Sequence, residues 1–279
     1  MRDGVASLTA QLVAAFRALA TDSGGAPLDV YAERLLPPRR ATLVRALRPA
    51  LRVPGARTLY HVAGAGLPEH IELRTHTIDA LVREAVADGV TGVVLLGAGL
   101  DARAHRLPEL AALPVWEVDH PDTQALKRGA LDRPGVRYVA VDFTAGELAE
   151  RLREADVGAG GPVVWIWEGV TPYLPASAVR SSLEVIATLS PPGSWVILTF
   201  ALPSLITLPR WMHRWGRRGF RAIGEPLLGL TSAEALLAAV GEVGLTPGAH
   251  TGMLEWCAAA GRAAPWLVVH ERVLVARKV

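Results

Sequence analysis

Two glycines, two acids and an arginine stand at intervals suited to a nucleoside-bearing ligand. The apolar run Val93-Val94-Leu95-Leu96 stops at Gly97-Ala98-Gly99-Leu100-Asp101-Ala102. Glycine there lets the backbone approach a ligand closely, and open α/β sheets bind ligands in the crevice beyond the carboxyl ends of their strands. Asp119 closes the next run, Val115–Val118, and lies 22 residues past Gly97. That is the separation at which an acidic side chain meets a ribose diol, where it can accept two hydrogen bonds. A further run, Val136–Val141, ends in Asp142-Phe143, which supplies an acceptor for an adenine amine and a ring to stack beside it. Upstream, Arg74 precedes the helix leading into the first strand, where a guanidinium can clamp an amino-acid carboxylate. Each residue has a plainer role: Gly-x-Gly occurs in ordinary tight turns, and Asp142 can cap a turn before Ala145.

The Gly-x-Gly-x-x-Ala form suits a dinucleotide as well as S-adenosylmethionine. Asp142 and Arg74 favour the second, because a dinucleotide needs neither. The elements that must position these residues follow from periodicity. Continuous apolar runs at 93–96, 115–118, 136–141, 163–167 and 195–200 have the pattern of parallel strands covered on both faces. Helical stretches at about 75–89, 121–131, 146–155 and 176–190 separate them, the alternation of a doubly wound α/β sheet. Leu267–Arg277 reads as a late, antiparallel strand whose charges suit an exposed edge.

Residues 8–20 and 31–52 read as helices, the second restarted by Pro37-Pro38, with Leu8, Leu12, Ala15, Phe16 and Leu19 sharing one face. The expected organisation is a helical N-terminal lid over 1–72 and a Rossmann-like ligand-binding domain over 73–279. A cap insertion over about 202–230 breaks the alternation with Pro203, Pro209 and Pro226, and Thr231 with Glu234 then suits a capping box. The seven arginines between Arg34 and Arg57 read as the solvated face of the lid.

Composition narrows the function classes. Of 279 residues 51% are apolar and 20% charged, enough to bury a sizeable core and too apolar for disorder. Arg outnumbers Lys 27 to 2, the bias of a GC-rich bacterial genome. A formal charge of +2 gives no case for nucleic acid. Cys257 is the sole cysteine, which excludes an internal disulfide, a thiolate zinc site and a Cys-x-x-Cys pair. No signal-peptide pattern opens the chain, and the most apolar window, 195–209, is too short to span a bilayer. A soluble, cytoplasmic protein is expected, with no metal, no membrane and no nucleic-acid partner.

Arg74-Thr75 with Asp79, Leu95-Leu96-Gly97-Ala98-Gly99-Leu100-Asp101-Ala102-Arg103, Arg106-Leu107-Pro108, Glu117-Val118-Asp119 before Pro121, Val141-Asp142, and Glu168-Gly169 with Tyr173-Leu174-Pro175 come in one order over about 70–200. In that order they resemble the leucine carboxyl methyltransferase family, and within it the bacterial branch associated with O-methylation of polyketides and other natural products. The resemblance implies a class I methyltransferase sheet and S-adenosylmethionine as cofactor, released as S-adenosylhomocysteine. It implies that Arg74 holds the methionine carboxylate, that Gly97, Ala98 and Gly99 line the methionine and ribose, and that Asp119 takes the ribose hydroxyls. Asp142 then takes the adenine amine with Phe143 beside it, and Glu168 faces the methionine amino group or the acceptor. His105 and Val170-Thr171-Pro172 depart from the family pattern, the latter in the loop nearest the transferable methyl.

A methyltransferase acting on a small aromatic or carboxylic acceptor is therefore expected, with O-methylation favoured over C- or N-methylation. Glu168, Tyr173 and His120 are the candidate general bases; His120 is also a candidate cofactor contact beside Asp119, and it equally suits the cap of the helix entered at Pro121. Tyr173, Trp211, Trp215 and Trp256 are the candidate acceptor contacts, able to stack on an indole or phenol or simply to pack the lid. Two rival readings are a nicotinamide-dependent oxidoreductase and a non-catalytic sensor of the methyl donor.

Overall fold

The computed structural model describes residues 7–21, 25–131, 133–143, 146–206, 225–265 and 267–279. Its apolar runs pair as β1 (Gly92–Leu96), β2 (Val115–Asp119), β3 (Val136–Ala140), β4 (Val163–Trp167) and β5 (Trp195–Ile206), followed by β6 (Thr246–Gly252) and β7 (Val269–Arg277). They form one seven-stranded sheet in the order β3-β2-β1-β4-β5-β7-β6. The first five strands run parallel, and β7 is antiparallel to both its neighbours. Around them lie α1 (Leu8–Leu19), α2 (Pro38–Ala50), α3 (Ala56–Ala63), α4 (Leu67–Ala87), α5 (Arg103–Arg106), α6 (Pro121–Ala130), α7 (Leu148–Glu154), α8 (Ala176–Leu189), α9 (Ala233–Glu242) and α10 (Met253–Ala259). This is the doubly wound α/β sheet that the alternation predicts.

Period-two alternation divides the core. Val94 and Leu96 join Trp165, Trp167, Val196 and Leu198 on one face, under Leu152 of α7, Leu183 and Ile186 of α8, and Leu236 and Val240 of α9. Val93 and Leu95 join Val164, Ile166 and Ile197 on the other, under Ile78, Val82 and Ala85 of α4. Each such side chain contributes about 1.5–3 kcal/mol on full burial, and a one-residue slip would exchange the two faces. The chain leaves β1 through β2 to β3, then returns to β4 on the other side of β1. That reversal opens a crevice beyond the carboxyl ends of β1 and β4.

The N-terminal helices pack on the crevice rather than beside it. Ala14, Ala18, Leu35, Ala41 and Val44 share a core with Leu100 and Ala102 of the loop after β1. The inward face of α1 differs from expectation: Leu8 and Leu12 are exposed, whereas Gln11, Ala14, Arg17 and Ala18 are buried. Small alanines allow a close approach there, and Arg17 finds a backbone acceptor, the Leu100 carbonyl at 2.7 Å. Of the seven arginines, Arg34, Arg39, Arg45 and Arg52 are exposed as expected, whereas Arg40, Arg48 and Arg57 are half-buried, Arg48 on Glu33 at 2.9 Å and Arg57 on the buried Glu72 at 3.1 Å.

Other boundaries move. α4 begins at Leu67, with Gly66 before it and Pro68 in its first turn, so it runs unbroken through the boundary expected at residue 72. Arg74 therefore lies mid-helix on a buried face instead of ahead of the helix. The N-cap of α9 is Ser232, whose hydroxyl accepts from the Ala235 N–H, and not Thr231. β5 continues past Phe200 through Pro203, beyond its last pairing with β4 and beside a register shift against β7, where a missing N–H is tolerated. Among the described residues, no helix is long and apolar enough to cross a membrane.

Candidate functional site

The turn after β1 is built for close approach. The Gly97 and Ala98 N–H groups donate to the Val118 carbonyl at 2.8 and 3.0 Å, which fastens the turn to β2. Gly97 has φ +66°, and a Cβ there would sit 2.3 Å from Val170 Cγ2, so both conformation and space require glycine. Asp119, at the end of β2, accepts the Gly99 N–H and the His120 N–H, each at 2.6 Å. Burial raises the Asp119 pKa, and those two N–H groups pull part of the way back. Its upstream neighbour Glu117 turns instead to Lys127 at 2.7 Å, a pair sealed inside the protein.

A cavity of about 580 Å³ opens above this turn, within the range of single small-molecule sites. Sheet order sets out its floor: Asp142 and Phe143 follow β3, Asp119 ends β2 with His120 after it, Gly97, Ala98 and Gly99 follow β1, and Glu168 follows β4. Arg74 and Tyr173 also line it. His120 caps α6, its ring nitrogen accepting weakly from the Asp122 N–H at 3.4 Å.

Beneath the β4 end lies a buried ion network. Glu168 contacts Arg74 at 2.8 Å and Arg103 at 2.6 Å. Arg74 also pairs with Glu271 of β7, which accepts from His70 at 2.8 Å. Arg103 pairs with Asp101 and, at 2.9 Å, with Asp79. Burial would raise the Glu168 pKa, but Arg103 and Arg74 hold it below the usual carboxylate value. Burial acts the same way on Glu271, and Arg74 and His70 hold it down at about 2. Arg74 Nε is buried without a hydrogen-bond partner, so one donor of its guanidinium is uncommitted.

The cavity's cover comes from segments far apart in the chain. Ser7, the N-cap of α1, donates to Glu225 at 2.7 Å, and the Tyr173 hydroxyl is hydrogen-bonded to the Thr9 side chain. Burial pushes the Tyr173 hydroxyl up to about 12, so it is protonated at neutral pH and fits a hydrogen-bond donor better than a base.

The structure thus brings together Arg74, Gly97, Ala98, Gly99, Asp119, His120, Asp142, Phe143, Glu168 and Tyr173 around one cavity. It does not bring Trp256 there. That indole is 4% exposed in the core beneath α4, 5.4 Å from the His70 ring, and donates to Thr251 Oγ1 at 2.8 Å. Trp211 and Trp215 lie outside the described residues. Sequence reasoning missed Ser7, Thr9, Arg17, Glu225 and Glu271. Glu271 carries a signal, a lone acid inside the alternating tail strand, but a charge in that pattern suits a solvent-facing edge equally well. Among the described residues, no group of three or more His, Cys, Asp or Glu is arranged to hold a metal ion.

The leucine carboxyl methyltransferase family model matches residues 10–187. A protein of Mycobacterium marinum, provisionally named an S-adenosyl-L-methionine-dependent methyltransferase, is 35% identical over 226 residues, covering 76% of this chain and 73% of its own. A Mycobacteroides abscessus protein with the same provisional name is 42% identical over 128 residues, 44% of this chain. The match spans only 41% of that relative's length. A crystal structure from Thermobifida fusca, described as a provisional methyltransferase, superposes over 99% of this chain and 96% of its own with a TM-score of 0.61 at 18% identity. That is a likeness of fold.

Proposed function

Because this chain belongs to the leucine carboxyl methyltransferase family, we propose that it moves a methyl group from S-adenosylmethionine to an oxygen of a small aromatic or carboxylic acceptor. One observation carries the reading. Asp142, Asp119, the Gly97–Gly99 turn and the Arg74–Glu168 pair line a single cavity in the order that adenine, ribose, sulfur and amino acid follow along the donor.

The residues fit the donor. Asp119 accepts a backbone N–H on each oxygen and a hydrogen bond from the Thr123 side chain besides, and the four acceptor sites of a carboxylate leave room for a ribose hydroxyl. Arg74 Nε is a buried donor without a partner, suited to a carboxylate. Glu168, kept ionised by Arg103 and Arg74, suits an ammonium group. When bound, S-adenosylmethionine supplies a methyl group on a positively charged sulfur, already activated for displacement. The protein's task is then alignment and exclusion of water. Ser7 and Thr9 of the N-terminal segment roof the cavity, and Tyr173 can donate a hydrogen bond to an acceptor oxygen. The acceptor's lone pair forms the new bond to carbon as the carbon–sulfur pair returns to sulfur. A carboxylate acceptor has no proton to lose, and a phenol gives up its own, for which His120 on the cavity wall is the candidate base.

Calorimetry with S-adenosylhomocysteine, NAD and NADP tests the reading. Micromolar binding of S-adenosylhomocysteine alone is expected. Binding of a nicotinamide dinucleotide in its place would overturn it. Label transfer from methyl-tritiated donor to small phenols or carboxylates then separates an enzyme from a protein that only binds the donor.

A further inference from the structure

We infer that Glu225 is the acceptor-recognising carboxylate of the cavity and that the acceptor carries a protonated amine; the inference rests on the methyl-transfer reading above. Glu225 lines the cavity, and its two oxygens differ. Oε1 accepts the Ser7 hydroxyl at 2.7 Å, whereas Oε2 is buried with no hydrogen-bond partner. A buried acceptor left empty is costly, and a carboxylate more so than a neutral group. The other acids at this end of the cavity are compensated. Glu168 has Arg74 and Arg103, Asp101 has Arg103 with Arg17 farther off, and Glu271 has Arg74 and His70. No ion pair among the described residues engages Glu225.

The segment that carries it is fixed in place. The Leu228 and Gly229 N–H groups both donate to the Pro172 carbonyl at 2.9 Å. A Cβ on Gly229 would fall 2.0 Å from the Thr171 carbonyl oxygen and 2.6 Å from that of Leu174. The 225–230 segment is thereby clamped to the turn that bears Tyr173, and the Glu225 charge reaches the Tyr173 hydroxyl. A fixed, half-satisfied carboxylate beside a hydrogen-bond donor is a preorganised site for a group that brings positive charge and N–H donors. An ammonium has three such donors and meets an opposite charge. An acceptor with a carboxylate at this point would meet a like charge in a confined volume.

Three phenols with matched rings test the inference: tyramine, 4-ethylphenol and 4-hydroxyphenylacetate, titrated into the protein saturated with S-adenosylhomocysteine. The expected order of affinity is tyramine, then 4-ethylphenol, then 4-hydroxyphenylacetate, with about tenfold between the first two, the scale of one charge-assisted hydrogen bond. Glu225→Gln should bring all three within about twofold while leaving the Kd for S-adenosylhomocysteine unchanged. Ser7→Ala, which frees Oε1 and keeps the charge, should retain the preference for tyramine. Absence of tyramine binding, equal affinity for the three phenols, a preference for 4-hydroxyphenylacetate, or a preference that survives Glu225→Gln would each overturn the assignment. Loss of the preference in Ser7→Ala would do so as well, by showing that the contact with α1 governs recognition. A protein that fails to bind S-adenosylhomocysteine at the outset refutes the methyl-transfer reading itself, a result distinct from all of these.

Discussion

Replacing Glu271 by glutamine tests the buried network at its least foreseen point. The side chain sits on β7, is 9% exposed, and accepts from Arg74 and His70. Burial alone would raise its pKa, yet Arg74 and His70 hold it at about 2 against an ordinary 4.5. Each pKa unit corresponds to ~1.4 kcal/mol, so the ionised carboxylate contributes about 3 kcal/mol to folding near pH 7. Because the folded pKa is the depressed one, that contribution is complete above the unfolded value of 4.5 and fades as pH falls toward 2. Glu271→Gln keeps the shape and removes the charge. Urea unfolding followed by tryptophan fluorescence should show the variant less stable by about 3 kcal/mol at pH 7 and by about 2 kcal/mol at pH 3.5. A gap below about 1 kcal/mol at pH 7, or one that widens on acidification, would refute the reasoning. The first would mean that Arg74 is adequately paired by Glu168 alone. The second would mean that Glu271 is protonated in the folded protein.

Four further outcomes follow from the same geometry. Arg74→Lys should weaken S-adenosylhomocysteine by about 1.5–3 kcal/mol and adenosine, which lacks the carboxylate, by less than ~0.5 kcal/mol; equal losses in calorimetry would remove Arg74 from the methionine end. Asp119→Asn should cost S-adenosylhomocysteine a similar ~1.5–3 kcal/mol, and an unchanged Kd would take the ribose away from that residue. Gly97→Ala combines a positive φ with a 2.3 Å approach to Val170, so denaturation should show a loss above ~1 kcal/mol; wild-type stability would mean that the turn relaxes freely. Trp256→Phe should lower the melting temperature through its lost bond to Thr251 while sparing tyramine affinity, and a change in that affinity would return the indole to the acceptor site.

The sheet and the donor end of the site were legible because short-range rules govern them. Strands buried on both faces must be continuous apolar runs, and the residues that close them must fall at the sheet's carboxyl edge. Gly97, Asp119 and Asp142 follow from that rule, and Glu168 from the resemblance to the family. β6 escaped it because Thr246-Pro-Gly-Ala-His-Thr-Gly252 has no strand-like composition, and a two-sided apolar pattern is not needed at an edge that pairs only with β7. The cover escaped for another reason. Ser7 meets Glu225 across 218 positions and Arg74 meets Glu271 across 197, and nothing local in either member marks its partner. Trp256 was misread because aromatic residues near an irregular segment suit a lining and a core equally well. Only the contacts with His70 and Thr251 decide between the two.

Three buried arginines, with Arg106 beside them, explain why the methionine end can be rigid in a protein whose cover is assembled from distant segments. Arg17 joins α1 to the Leu100 carbonyl, Arg74 joins α4 to β7 and Glu168, and Arg103 joins Asp79 of α4 to Asp101 and Glu168. Arg106 adds a second contact to Asp79 at 2.5 Å. Buried ion pairs add little net stability over apolar packing of the same volume, since desolvation consumes most of the attraction. What they add is position. Glu168 is held from two sides, by side chains on α4 and α5, and neither can move without leaving a charge uncompensated. Charge and place at this end are therefore set before any ligand arrives, as electrostatic preorganisation requires. Glu225 has no such brace beyond Ser7 and the clamp to Pro172, and its buried Oε2 is left for a partner. The same contrast that separates a finished donor site from an open acceptor site is what points to a cation at Glu225.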